Sequence, residues 1–218
     1  MSPIDIYLEV GTKRTFASAL EWPGWSRAGR DEAGAIAALV EYGPRYRAVL
    51  GGIAKLELPK GVGDATVVER LDGGAGTDFG VPGAIPAYDR VAPDPAELER
   101  TRRIMLACWA AFDEAAERAR GHDLAPSGPR GGGRSPAKIT EHVQGADGAY
   151  LSSLGVSGIR GLDWPGLRQA FLDGLGARAR GELAEVGPRG GARWPGRYAA
   201  RRAAWHLLDH AWEIEDRL

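Results

Sequence analysis

The spacing of apolar and polar positions divides the chain into two halves of different period. Near the start the apolar runs are short. IDIYLEVG (4–11) and TFASALEW (15–22) read as two strands, with Thr12, Lys13 and Arg14 as a hairpin connection. Trp22-Pro23-Gly24-Trp25 marks a turn. Asp31 suits an N-cap, and Glu32 to Tyr42 reads as a helix with Ala33, Ile36, Ala37 and Val40 on one face. Gly43-Pro44 breaks it, and Arg45 to Leu50 resumes as a short helix. LELP (56–59) and ATVVERL (65–71) read as two further strands. Residues 72–94, rich in Gly, Pro and Asp, read as loop and linker.

From residue 94 the period becomes helical. Asp94-Pro95-Ala96-Glu97 combines an N-cap, a proline at the first helical position and an acid three residues after the cap. The stripe that follows, Leu98, Ile104, Met105, Cys108, Trp109, Phe112, Ala115 and Ala116, runs towards Arg120, and Gly121 closes the helix. Ser135-Pro136 opens a second helix with Ile139, His142, Val143, Ala146 and Tyr150 on one face. After a connection over 155–163, Asp163-Trp164-Pro165 starts a third, with Leu167, Ala170, Phe171, Leu175 and Leu183 as its apolar positions. The last, Gly196 to Leu218, follows Pro195, which is expected at the first helical position. Four amphipathic helices in succession predict a four-helix bundle. The expected fold class is therefore a small α+β module over 1–90 followed by an all-α bundle over 91–218.

Composition narrows the function classes. With 44% hydrophobic and 26% charged residues, the chain is of the soluble globular kind. A net charge of −1 gives no general pull towards nucleic acid or an anionic membrane. Residues 1–90 carry ten Lys/Arg against twelve Asp/Glu, a net of −2, which argues against a nucleic-acid partner. No apolar run approaches the 18 or so residues of a membrane span. The single cysteine, Cys108, fits a reducing cytoplasm, leaves no Cys-rich metal site, and falls where a helix would bury it as a packing thiol. MSPIDIYLEVG lacks the basic and apolar regions of a secretory leader, so the expected location is cytoplasmic.

Chemistry concentrates in the histidines. His206 and His210 are four residues apart and share one helix face, an arrangement in which two imidazoles can hold one metal ion. Alone, such a pair is more often an ordinary surface or boundary feature of a helix, and a third histidine elsewhere is what changes the odds. His142 falls in the middle of an apolar stripe, where its nitrogens need partners; a bond to a backbone carbonyl and a ligand role both meet that need.

Two resemblances extend this reading. TFASALEWPGWSRAGRDEAGAIAAL (15–39) resembles the HicB-like antitoxin module over about residues 4–72. That likeness implies a partner-binding module, often followed by a DNA-binding segment, and none follows here. Dimerisation, or covering the other half, is the plainer role. ITEHVQGADGAYL and AAWHLLDHAWEIEDR resemble the DinB/YfiT-like family over about residues 95–218. In that family one histidine of the second helix and an H-x-x-x-H pair of the last bind a divalent metal, commonly zinc or nickel. Carried onto this chain, the ligands are His142, His206 and His210, and His122 lies outside the motif. The resemblance also implies an up-down-down-up bundle, a small-molecule substrate and, for several members, S-transfer with a low-molecular-weight thiol. The functional expectation is metal-dependent thiol transfer or hydrolysis. The alternative is a non-catalytic binding or stress-response protein using the first module, with the helices as scaffold.

Four further residues are pocket candidates. Arg202, one turn before His206, could hold an anionic group, although a solvated basic residue beside Arg201 is its plainer role. Tyr150 and Tyr198 each lie two turns from a ligand histidine and could stabilise an oxyanion. Glu213, three residues after His210, could orient that ring or simply be a solvated acid. Trp205 and Trp212 are expected to pack among the helices.

Overall fold

The computed structural model describes residues 4–53, 56–126 and 133–218. The chain divides into two compact units, Met1–Val91 and Ala92–Leu218.

The first unit is a four-stranded sheet with helices. Strands β1 (Ile4–Val10) and β2 (Thr15–Ala19) form the expected hairpin, its tip closed by the Gly11 amide bonding to the Arg14 carbonyl at 2.9 Å. Strand β3 (Ser26–Gly29) pairs antiparallel with β2. Its text, SRAG, has no apolar alternation, which is why the pattern did not reveal it. Helix α1 (Glu32–Glu41) starts on the Asp31 cap, whose carboxylate accepts from the Gly34 amide at 2.8 Å. Its buried residues are Ala35 and Leu39, whereas Ala33 and Ala37 are exposed. The expected face was thus turned about the helix axis. The cause is close approach: a Cβ at Gly29 would lie 2.2 Å from the Ala35 nitrogen, so glycine lets β3 touch α1 on that side. Trp25 completes the contact, donating from Nε1 to the Leu39 carbonyl at 2.8 Å and stacking on Tyr46 of helix α2 (Gly43–Leu50).

Residues 56–59 form no strand, although Leu56 is buried. Strand β4 (Ala65–Asp72) joins β1 in parallel and completes the order β3-β2-β1-β4. Residues 72–94 are more than a linker. They hold helix α3 (Ala75–Phe79) and a 3-10 turn at Ala87–Arg90. They are tied to the sheet by Glu9, a buried carboxylate that accepts from the Thr77 hydroxyl and from the Gly83 and Ala84 amides, both at 2.9 Å to Oε2. A buried carboxylate is stable only with such donors.

The second unit is helical. Helix α4 (Pro95–Arg118) opens on Asp94, which accepts from the Glu97 amide at 2.8 Å. Helices α5 (Pro136–Leu154), α6 (Trp164–Ala179) and α7 (Gly196–Arg217) follow. Leu183, expected on the third helix, lies beyond its end, and Pro195 is the N-cap of α7 instead of its first helical residue. Cys108 is buried, and desolvation pushes its thiol pKa far up, so it acts as core. No helix among the described residues is long and apolar enough to cross a membrane.

Side-chain contacts give the helix directions. Glu97 pairs with Arg197 and Arg118 with Glu215, so α4 and α7 run the same way. Trp164 donates to Asp147 at 2.8 Å, and Arg178 donates to the Leu154 carbonyl, so α5 and α6 also run the same way. Phe112 meets Trp164, and Trp109 meets Phe171, which sets α4 against α6. His142 meets His210 while Tyr150 meets His206, which sets α5 against α7. The connection over 155–163 is short for a return between parallel helices. It suffices because α6 begins opposite Asp147, so the chain retraces only about 10 Å of α5.

Helix α7 is buried on nearly every side. It packs on α4, α5 and α6, and Ala199, Ala200, Ala203, Ala204 and Ala211 let the neighbours come close. The junction of α5 and α6 is held by a buried acid. Burial raises the Asp147 pKa to about 6, against the opposing effects of the Trp164 hydrogen bond and the nearby Arg168. The folded state therefore binds this proton more tightly than the unfolded chain, and stability falls as pH rises between about 4 and 6. Asp147→Asn keeps the acceptor for Trp164 without the charge. Urea unfolding should show the variant and wild type equally stable at pH 4. At pH 7 the variant should be more stable, by on the order of 2–3 kcal/mol.

Candidate metal centre

The centre is built where α5 crosses α7. His206 and His210 are successive turns of α7, and their rings meet edge to face with centroids 4.7 Å apart. His142 projects from α5 against both, with centroids 4.9 Å from His206 and 5.1 Å from His210. One ligand atom from each of the three lies within 4.8 Å of the other two. The Nε2 atoms of His142 and His206 are 3.1 Å apart. Two nitrogens bound to one tetrahedral zinc at about 2.0–2.1 Å lie roughly 3.3–3.4 Å from each other, so this pair needs almost no movement.

Electrostatics favours the neutral form of two of the rings, the form that a metal requires. Burial, then the charges of His210, Arg202, His142 and Arg134, push the His206 pKa down to about 2. Burial and the charges of His210 and Arg134 lower that of His142, partly offset by Glu213. Nδ1 of His206 is buried and meets no partner. An unmatched buried polar atom costs about 1–3 kcal/mol, which an apolar residue in the same place would avoid.

His210 is oriented from behind. Its Nδ1 lies 2.8 Å from Glu213 Oε2, and Glu213 Oε1 accepts from Arg217 Nη1 at 2.7 Å. The bond to His210 is the main reason the Glu213 pKa is lowered. Nε2 of His210 is thereby left to face the other two rings. A carboxylate behind a ligand imidazole fixes its tautomer and raises its basicity. Glu213 is therefore partnered on both oxygens, not simply solvated.

Arg217 does more, and the sequence pattern did not single it out. Its Nε donates to the Ala125 carbonyl at 2.8 Å and Nη2 to the Arg134 carbonyl at 3.2 Å, while its own carbonyl accepts from the Ala125 amide at 2.7 Å. Both stems of the α4–α5 loop are so tied to the end of α7. The loop's Arg134 adds positive charge near His142 and His206.

The other candidates divide. Tyr150 is buried and meets His206 edge-on at 5.8 Å. Burial raises its pKa, so Oη keeps its proton at neutral pH. Tyr198 is buried against Trp194, on which Tyr150 also packs. Trp194 was not among the residues the pattern picked out. Arg201 is buried and Arg202 half-buried, so neither is the solvated residue expected from two adjacent arginines. Trp205 and Trp212 are buried.

No family model matches this chain, and neither curated proteins nor solved structures give a match.

Glu213→Ala leaves the three histidines in place and removes the support of His210. Competition against a chromophoric chelator should show divalent-metal affinity falling about 10–100-fold. An unchanged affinity would mean that Glu213 does not hold the ring for a metal.

Proposed function

We propose that the second unit is a DinB-like four-helix bundle whose His142, His206 and His210 hold one divalent ion, zinc or nickel, and that it carries out metal-dependent thiol S-transfer or hydrolysis on a small molecule. The observation that supports this reading most is the approach of three imidazoles from two helices to within 4.8 Å. The parallel pairing of α5 with α6 and of α4 with α7 is the helix order the resemblance implies. Three neutral nitrogen ligands leave an open position, where a divalent ion would supply Lewis acidity that favours the deprotonated form of a thiol or water.

The protein's own groups have separable parts in this scheme. Glu213 and Arg217 hold His210 with Nε2 forward. Tyr150 Oη retains its proton beside His206 and is a donor for negative charge developing on a substrate oxygen. A low-molecular-weight thiol fits as cosubstrate, because the one cysteine of the chain is buried in the core.

A second reading concerns the first unit. Its β4 is an edge of the sheet and leaves Val68 exposed, a surface open to strand pairing with another chain. That supports a HicB-like partner-binding module, or a homodimer, alongside either role of the helices.

Elemental analysis after mild purification tests the metal reading. The wild type should carry about one divalent ion per chain, and His206→Ala should lose most of it. Equal metal in both proteins would remove the site.

A further inference from the structure

Arg202 lies one turn before His206 on α7 and has a surrounding unlike that of Arg197 and Arg217 at the ends of the same helix. Arg197 is held by Glu97 and Arg217 by Glu213. Arg202 has no ion pair or hydrogen bond among the described residues, and its Nη1 is buried without an acceptor. It is held instead by two rings. Its guanidinium carbon lies 4.6 Å from the centroid of Trp205 and 5.8 Å from that of Tyr150. Tyr150 in turn meets His206. The positive charge thus stands beside the three-histidine centre, on the side away from Glu213.

A guanidinium is costly to desolvate, and aromatic faces give it attraction without giving its N–H groups an acceptor. The missing partner is an anionic oxygen. A lone cation of charge +1 with one unmatched buried nitrogen suits a carboxylate, which a planar guanidinium recognises well. We infer that Arg202 is a binding residue for the carboxylate of a small substrate or cosubstrate whose other end reaches the three-histidine centre. This rests on the metal reading above. It adds a substrate class: small acids, with the charged group about one helical turn from the ligating atom.

The test uses the full-length protein loaded with cobalt(II). Thiol binding is read from thiolate-to-cobalt charge-transfer absorption, with 3-mercaptopropionate and its uncharged amide as the probes. The acid should bind the wild type about tenfold more tightly than the amide, or better. In Arg202→Gln that preference should vanish while the amide binds as before, and Arg202→Lys should restore part of it. Equal affinities for acid and amide in the wild type would overturn the inference without recourse to any variant. So would a preference that survives in Arg202→Gln, which would assign it to the metal or to Arg134. Loss of the cobalt ligand-field bands in the wild type would instead overturn the metal reading itself. Intact bands with no acid preference would remove only the role of Arg202.

Discussion

The second unit depends on holding two buried imidazoles, His206 and His210, in a packed helix interface with a third, His142, against them. A histidine is easy to place at a surface and expensive to bury, because both nitrogens need partners and the charged form loses its hydration. Here the expense is contained by position. Helix α7 presents His206 and His210 on successive turns, α5 brings His142 against both, and the rings pack edge to face. Alanines on α7 let the neighbouring helices come close, and Phe112, Val143, Leu207 and Leu208 are among the side chains fully buried in this unit. Each fully buried side chain of that size contributes about 1.5–3 kcal/mol, enough in sum to carry a few imperfectly matched polar atoms.

Charge around the centre is arranged in two directions. Towards the end of α7, Glu213 faces His210 and is backed by Arg217. Towards its start, Arg202 supplies positive charge with no acid to match it. Arg134 adds a further positive field from the loop. Protonation of His206 and His142 is disfavoured by the positive charges, and the same field favours any anion that approaches. The centre is therefore poised for neutral ligands and negatively charged visitors.

Much of the architecture could be read from residue order, and the failures have physical causes. The hairpin of β1 and β2, the caps Asp31 and Asp94, and the long helices follow from local signals. Strand β3 escaped because SRAG takes its conformation from pairing with β2, not from its own pattern. The face of α1 was misplaced because Gly29, a residue with no side chain to count, decides which side of the helix can approach the sheet. Residues 72–94 looked like linker because their order comes from distant partners, among them Glu9 and Glu69. In the helical unit the three histidines stood out by spacing and by the misfit of His142 on an apolar stripe. Arg202 was legible only as a candidate, since adjacent arginines on a helix usually lie in water, and only a helix covered on nearly all sides makes them lose it. Arg217 belonged to a last turn that gave no sign of reaching across to Ala125 and Arg134.

The double tie made by Arg217 has a consequence for how this family of shapes could vary. Because Ala125 and Arg134 are both fastened to the same guanidinium, the ends of the intervening segment are already brought together by the fold. Extra chain between such fixed ends adds little entropy cost, about 0.6 kcal/mol for each doubling of length. Insertions between Ala125 and Arg134 can thus accumulate while the helices that hold the rings stay as they are.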